Sequence, residues 1–167
     1  YHPKPKPSPE ALQSAAELIN NAQRPMILAG HGIQIAHAQE VFKEFVEKTG
    51  IPLACTIHGL STIPSDHPLH MGMLGMHGNY GPNMLQNQCD VLIAIGMRFD
   101  DRVTGRLSGY AKQAKVIHIE IDPSEINKNV HAHVPILSDA KLALRELLPL
   151  VNEKSYPDWI AEFKRHD

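Results

Sequence analysis

The stretch Asp90-Val91-Leu92-Ile93-Ala94-Ile95-Gly96 constrains the fold more than any other, because five aliphatic residues follow one another with nothing polar between them. Successive side chains of a strand point to opposite faces, so a run of this kind is stable only where both faces are covered. Pro25-Met26-Ile27-Leu28-Ala29-Gly30 and Pro52-Leu53-Ala54-Cys55-Thr56-Ile57 have the same character, and Lys115 to Asp122 is another strand. Val134-Pro135-Ile136-Leu137 is a further short element; its proline lacks an N–H and places it at a sheet edge.

Helical segments separate these runs. Ser8 caps the first, with Pro9 at its first position, Glu10 in its first turn, and Leu12, Ala15, Ala16, Ile19 and Ala22 at helical spacing as far as about Gln23. Ala36 to Lys48 is amphipathic, and Ser138-Asp139 opens a helix through Leu148. Residues 58–82 read as loop, and Asn83 to Cys89 as a helix end. Apolar strands alternating with helices predict an α/β fold: three layers, α/β/α, around a six-stranded, mostly parallel, Rossmann-like sheet. Prolines at 3, 5 and 7 make residues 1–8 an extended linker, and residues 9–152 form the Rossmann-like unit. Residues 153–167 are expected to begin a connector to a further domain. Trp159, Ile160 and Phe163 there form an apolar stripe; the alternative is a helix docked back on this unit.

Composition excludes several functions. A net charge of −2 with scattered cations argues against nucleic acid. Eleven histidines suggest metal, but there is no HExxH and no His/Cys cluster at zinc spacing; His131 and His133 read as an isolated pair on a solvated loop. Cys55 and Cys89 form no CxxC pair and read as buried thiols of a reducing, cytoplasmic protein. No apolar run has the length of a membrane span.

The candidate site motifs lie where parallel strands end, which is where such sheets hold ligands. Gly30-His31-Gly32 lets a backbone approach a phosphate at a helix N-terminus, or is a plain tight turn. Ile35 occupies the third glycine position of GxGxxG, so an ordinary NAD fingerprint is absent. Gly72-Met73-Leu74-Gly75-Met76-His77-Gly78 suits a backbone laid against a flat ligand, or a loop with turn glycines. Gly96-Met97-Arg98-Phe99-Asp100-Asp101-Arg102-Val103-Thr104-Gly105 leaves the strongest strand with two arginines suited to bidentate capture of phosphate or carboxylate; otherwise it is a solvated charged loop. His118-Ile119-Glu120-Ile121-Asp122 ends in acids able to accept ribose or adenine hydrogen bonds. Asp139 is a further such acceptor or a helix cap.

Together Leu74-Gly75-Met76-His77-Gly78, the segment from Gly96 to Gly105, and His118-Ile119-Glu120-Ile121-Asp122-Pro123-Ser124-Glu125-Ile126 resemble the acetohydroxyacid (acetolactate) synthase large subunits, within the thiamine-diphosphate-dependent enzymes. The likeness runs over nearly the whole chain. It implies the middle of three domains in an enzyme that joins two 2-oxo acids, pyruvate with pyruvate or 2-oxobutyrate, with loss of CO2 in branched-chain amino-acid synthesis. It also implies FAD across the strand ends. Gly30, His31 and Gly32 would approach the flavin nucleotide, lined by Thr56, Ile57 and His58. Leu74, Gly75, Met76, His77 and Gly78 would run beside the flavin, and Gly96, Met97 and Arg98 would lie near the diphosphate. Asp100, Arg102 and Val103 would continue that wall, and Glu120, Ile121, Asp139 and Ala140 would flank the adenosine. Arg102 would hold the carboxylate of the second 2-oxo acid, with Asp101 and Met76 bordering its channel. Thiamine diphosphate and Mg2+ are implied for other domains: this sequence has no Gly-Asp-Gly, and the chain alone is expected to be inactive. The resemblance further implies a homodimer or homotetramer with a regulatory small subunit. A nucleotide-binding module, and the middle domain of a thiamine-dependent decarboxylase or oxidase, are the alternatives.

Overall fold

The computed structural model describes residues 5–56, 62–73, 87–99, 113–128 and 130–165. The chain enters helix α1 (Pro9–Asn21) through Ser8, whose hydroxyl accepts a hydrogen bond from the Ala11 amide. The helix ends two residues short of Gln23. The cause lies across the sheet: the Asp90 carboxylate accepts from the amides of Gln23 and Arg24 at 2.8 and 2.9 Å and turns them into strand β1 (Pro25–Ala29). A four-residue helix α2 (Gly32–Ile35) and a left-handed His37 (φ 54°) delay the next helix, α3 (Gln39–Thr49), past its expected start at Ala36. Gly50 closes α3 at φ 67°.

Then come β2 (Leu53–Cys55), β3 (His70–Met73), β4 (Val91–Ile95), β5 (Lys115–Glu120), β6 (Val134–Leu137), α4 (Ala140–Leu147) and α5 (Pro157–Arg165). All six strands are parallel in the order β3-β2-β1-β4-β5-β6, with Ile27 opposite Ile93 and Ile93 opposite Ile117. The three-layer, Rossmann-like expectation therefore holds, and Pro135 sits on the edge strand as its missing N–H required. One strand departs from the sequence reading: β3 falls inside the stretch assigned to loop. As an edge strand with only Met71 buried, it lacks the apolar run that announces its neighbours. Most of the expected helix end at 83–89 lies outside the described residues.

Each of the four central strands serves two cores. Ile27, Ala29, Leu53, Ile93, Ile95, Ile117 and Ile119 face Leu12, Ile19, Phe42, Phe45, Leu144 and Leu147 from α1, α3 and α4. Met26, Leu28, Ala54, Leu92, Ala94 and Val116 face the other way, toward Met97, Phe99 and Trp159. This is where Trp159 and Ile160 of the C-terminal stripe go, as in the alternative of a helix docked back on this unit. Trp159 is 5% exposed, and its indole N–H donates to the Pro25 carbonyl at 2.7 Å. The Phe163 side chain falls outside what is described. Among the described residues no helix is long and apolar enough to cross a membrane.

Candidate functional site

Strand order reverses between β1 and β4: from β1 the chain moves outward to β2 and β3, then returns beside β1 and moves outward the other way. In sheets of this kind nucleotides bind in the crevice outside the carboxyl ends of two such strands. Gly30, His31 and Gly32 leave β1 here, and Gly96, Met97 and Arg98 leave β4.

The glycines are needed because these two loops cross. A Cβ on Gly32 would sit 2.6 Å from the Gly96 Cα, and one on Gly30 would be 2.5 Å from the Gly96 carbonyl oxygen. Gly96 itself has φ 63°. The amide of Gly32 donates to the Gly96 carbonyl at 2.8 Å and that of Gly30 to the Ile95 carbonyl at 3.0 Å. Those two N–H groups are therefore committed to the β4 exit. The close approach that Gly30 and Gly32 permit is to the β4 exit. His31 lies exposed on the turn, its Nδ1 2.7 Å from the Gln34 side-chain oxygen.

The β4 exit alternates. Met97 and Phe99 point into the core, while Arg98 between them is 69% exposed, its Nε 3.9 Å from Glu125 Oε1. Lys128 approaches the same oxygen at 3.6 Å. Met97 thus gives the crevice backbone, and Arg98 gives it charge. At the end of β5, Glu120 is buried, and one of its oxygens accepts from the Asp122 amide at 3.2 Å. Burial is the main reason its carboxyl is held above the ordinary range; the neighbouring acids Asp122 and Glu125 add to this, while the Asp122 amide and Arg98 oppose it. Asp122, part-buried, is pulled the other way by the hydroxyl and amide of Ser124. Ile121 is exposed beside it. The Ser138 amide donates to the Glu120 carbonyl, which brings the start of α4 alongside. There Asp139 accepts from the Leu142 amide at 2.8 Å as an N-cap, and Ala140 is buried in the core. The cap reading of Asp139 has its bond. Thr56, half-buried at the end of β2, donates its amide to Ala29.

The structure thus gathers Gly30, Gly32, Gly96 and Met97 into contact and sets Arg98 and Glu120 beside them. Ile57, His58, Leu74, Gly75, Met76, His77, Gly78, Asp100, Asp101, Arg102 and Val103 lie outside the described residues. Two groups escaped the sequence reading. His118 sits wholly buried beneath Met97, and its signal was a lone polar residue in an apolar strand. Cys55 lies 3.5 Å from His70 Nε2 and 3.7 Å from the Thr62 hydroxyl, a meeting that residue spacing does not announce. Cys55 and Cys89 are buried free thiols, as expected. His131 and His133 are exposed, and among the described residues no group of His, Cys, Asp and Glu forms a metal site.

The donor set fits a dinucleotide: an exposed guanidinium at the switch point and a carboxyl acceptor one strand away are the complements of a diphosphate and a hydroxyl-bearing nucleoside. Comparison with known proteins gives the family. The family model described as thiamine pyrophosphate enzyme, central domain, matches residues 12–147. The chain is 50% identical over 148 residues to a probable acetolactate synthase large subunit of Methanocaldococcus jannaschii, covering 89% of this chain and 25% of that one. It is 45% identical to the chloroplastic acetolactate synthase 1 of Zea mays over 149 residues, 89% of this chain and 23% of that one. With the acetolactate synthase isozyme 2 large subunit of Escherichia coli it shares 40% over 153 residues, 92% of this chain and 28% of that one. The chain spans about a quarter of the length of the curated relatives it matches.

Proposed function

We infer from the family to which this chain belongs, the central domains of thiamine pyrophosphate enzymes, that it is the flavin-binding middle domain of an acetolactate synthase large subunit. The observation that carries this reading is the crossing of the Gly30–Gly32 and Gly96 loops at the carboxyl ends of β1 and β4, where strand order reverses, with Arg98 exposed beside them. There Arg98 meets the FAD diphosphate, Glu120 and Ile121 flank the adenosine, and Thr56 lines the entry from β2. Gly30, Gly32 and Gly96 act by bringing the two walls together, and the exposed His31 lies at the mouth. Gly72 and Met73, at the end of β3, lead into the segment 74–78, which runs beside the flavin. The net reaction is not redox, so the flavin serves as a bound fixture of the site.

The complete enzyme joins pyruvate to a second pyruvate or to 2-oxobutyrate with loss of CO2. Thiamine diphosphate, held through Mg2+ elsewhere in the polypeptide, supplies the electron sink for the loss of CO2. Arg102 contributes the guanidinium that receives the carboxylate of the second 2-oxo acid, and Asp101 and Met76 border its path. Residues 1–8 link to a preceding domain, 9–152 form the flavin-binding unit, and 153–167 begin a connector whose first turns dock on this unit. The assembly is a cytoplasmic homodimer or homotetramer with a regulatory small subunit.

Two experiments test this. FAD titrated into the complete polypeptide is expected to lose fluorescence on binding; tight binding of NAD with none of FAD would refute the flavin. In the complete enzyme, Arg102→Ala is expected to raise KM for the second 2-oxo acid by about thirtyfold to a hundredfold, the worth of a charged bidentate bond, with thiamine binding unchanged. Equal loss of both would remove Arg102 from the carboxylate.

A further inference from the structure

We propose that His118 is a positioning residue for the flavin site, holding the β4 exit loop in place through the Met97 carbonyl. The proposal rests on the reading of that loop as a ligand wall.

His118 occupies the middle of β5 with no exposed surface, between Ile117 and Ile119. Aliphatic residues fill such positions along this sheet, and one more would leave the Met97 carbonyl without this donor. The histidine instead makes one hydrogen bond and leaves another unmade. Its Nε2 lies 2.9 Å from the Met97 carbonyl oxygen, which only accepts, so Nε2 carries the proton. Nδ1 is then a bare lone pair, buried, and without a partner among the described residues. Burial also keeps the imidazole neutral by lowering its affinity for a second proton. A buried polar atom left unpaired is uncommon and asks for a reason.

Met97 supplies that reason. Its carbonyl lies just beyond Gly96, where the chain has turned left-handed and left the sheet. The ladder's last contact with β5 is the Gly96 amide donating to Ile119. Beyond it the backbone has no ladder bond to β5, and His118 reaches up from beneath to take the next carbonyl. Phe99 closes on the same ring edge-to-face, with centroids 5.0 Å apart. The imidazole therefore grips the loop on both sides of Arg98, whose own side chain is exposed and loosely paired. What fixes the guanidinium in the crevice is the backbone to either side of it, and that backbone is fixed from below.

Three substitutions in the complete polypeptide separate this role from plain stability. His118→Gln places an amide N–H where Nε2 stood. His118→Asn places its amide too short to reach Met97. His118→Leu fills the space without a donor. FAD affinity and thermal unfolding are measured for each. Gln is expected to stay within about threefold of the parent affinity, while Asn and Leu fall about tenfold or more, the worth of one buried hydrogen bond. Stability is expected to rank differently, with Leu, which buries no unpaired polar atom in its own side chain, melting at or above Gln. FAD affinity unchanged in Leu and Asn would overturn the proposal, as would affinities that simply follow melting temperature across the three. If the unsubstituted polypeptide binds no FAD, the reading of the crevice fails first, visibly before any substitution, and the proposal falls with it.

Discussion

At Gly96 an added methyl group would meet the Cα of Gly32 at 2.8 Å and the Ile33 nitrogen at 2.9 Å, all of it backbone that cannot rotate away. The residue is also left-handed, at φ 63°. Gly96→Ala therefore combines a strained backbone with overpacking and is expected to cost about 2–4 kcal/mol, read as a lower urea midpoint at unchanged slope. A second residue-scale expectation concerns pH. His118 is held neutral in the fold by burial, below its ordinary 6.5, and His70 is lowered for the same main cause. As pH falls through about 6.5 the unfolded chain takes up protons there that the folded chain does not. Stability is thus lost on acidification, by up to about 1.4 kcal/mol per pH unit for each fully resisted proton. Glu120 acts in the opposite sense, since its raised carboxyl keeps a proton above the ordinary 4.5 that the unfolded chain has released. Urea unfolding of His118→Leu should show a flatter slope between pH 6.5 and 5 than the parent; an equal slope would mean that His118 takes no part. The thiols give a third expectation. Burial pushes Cys55 up to about 11 and Cys89 up to about 12. At pH 8 neither is expected to react with iodoacetamide in the folded protein, and both should react in denaturant; labelling of the native protein would contradict this.

At the scale of elements, what the sequence reveals depends on how local the cause is. Ser8, Pro9 and Glu10 announce α1 because a cap acts within one turn. β1 and β4 are legible because burial on both faces fills them with apolar residues, and β5 keeps that pattern apart from Lys115, His118 and Glu120. The end of α1 is set by Asp90, far along the chain, and β3 by a neighbour that supplies hydrogen bonds without a core; no local pattern records either. The docking of α5 is of the same kind, since the apolar stripe is visible and its partner is not. Trp159→Phe keeps the ring and drops the bond to Pro25, and should cost about 1–2 kcal/mol. The Arg24–Glu162 pair beside it, at 3.8 Å and half exposed, should add little. If Trp159→Phe leaves the unfolding midpoint unmoved, α5 is not held by that bond.

At the scale of the whole molecule, the switch point between β1 and β4 follows from strand order alone, and the glycine and arginine motifs at its rim were legible in the sequence as candidates. The role of Gly30 and Gly32 was less so. Sequence shows that a backbone must come close there, and only the fold shows that the approaching backbone is the exit of β4. On the proposed reading, the committed amides leave binding to side chains, chiefly Arg98 at the diphosphate. The most direct test is a diffraction structure of the complete polypeptide with FAD bound. The account predicts the diphosphate at the carboxyl ends of β1 and β4, within hydrogen-bonding distance of Arg98, with the adenosine toward Glu120. A flavin seated elsewhere, with Arg98 turned to bulk solvent, would contradict it.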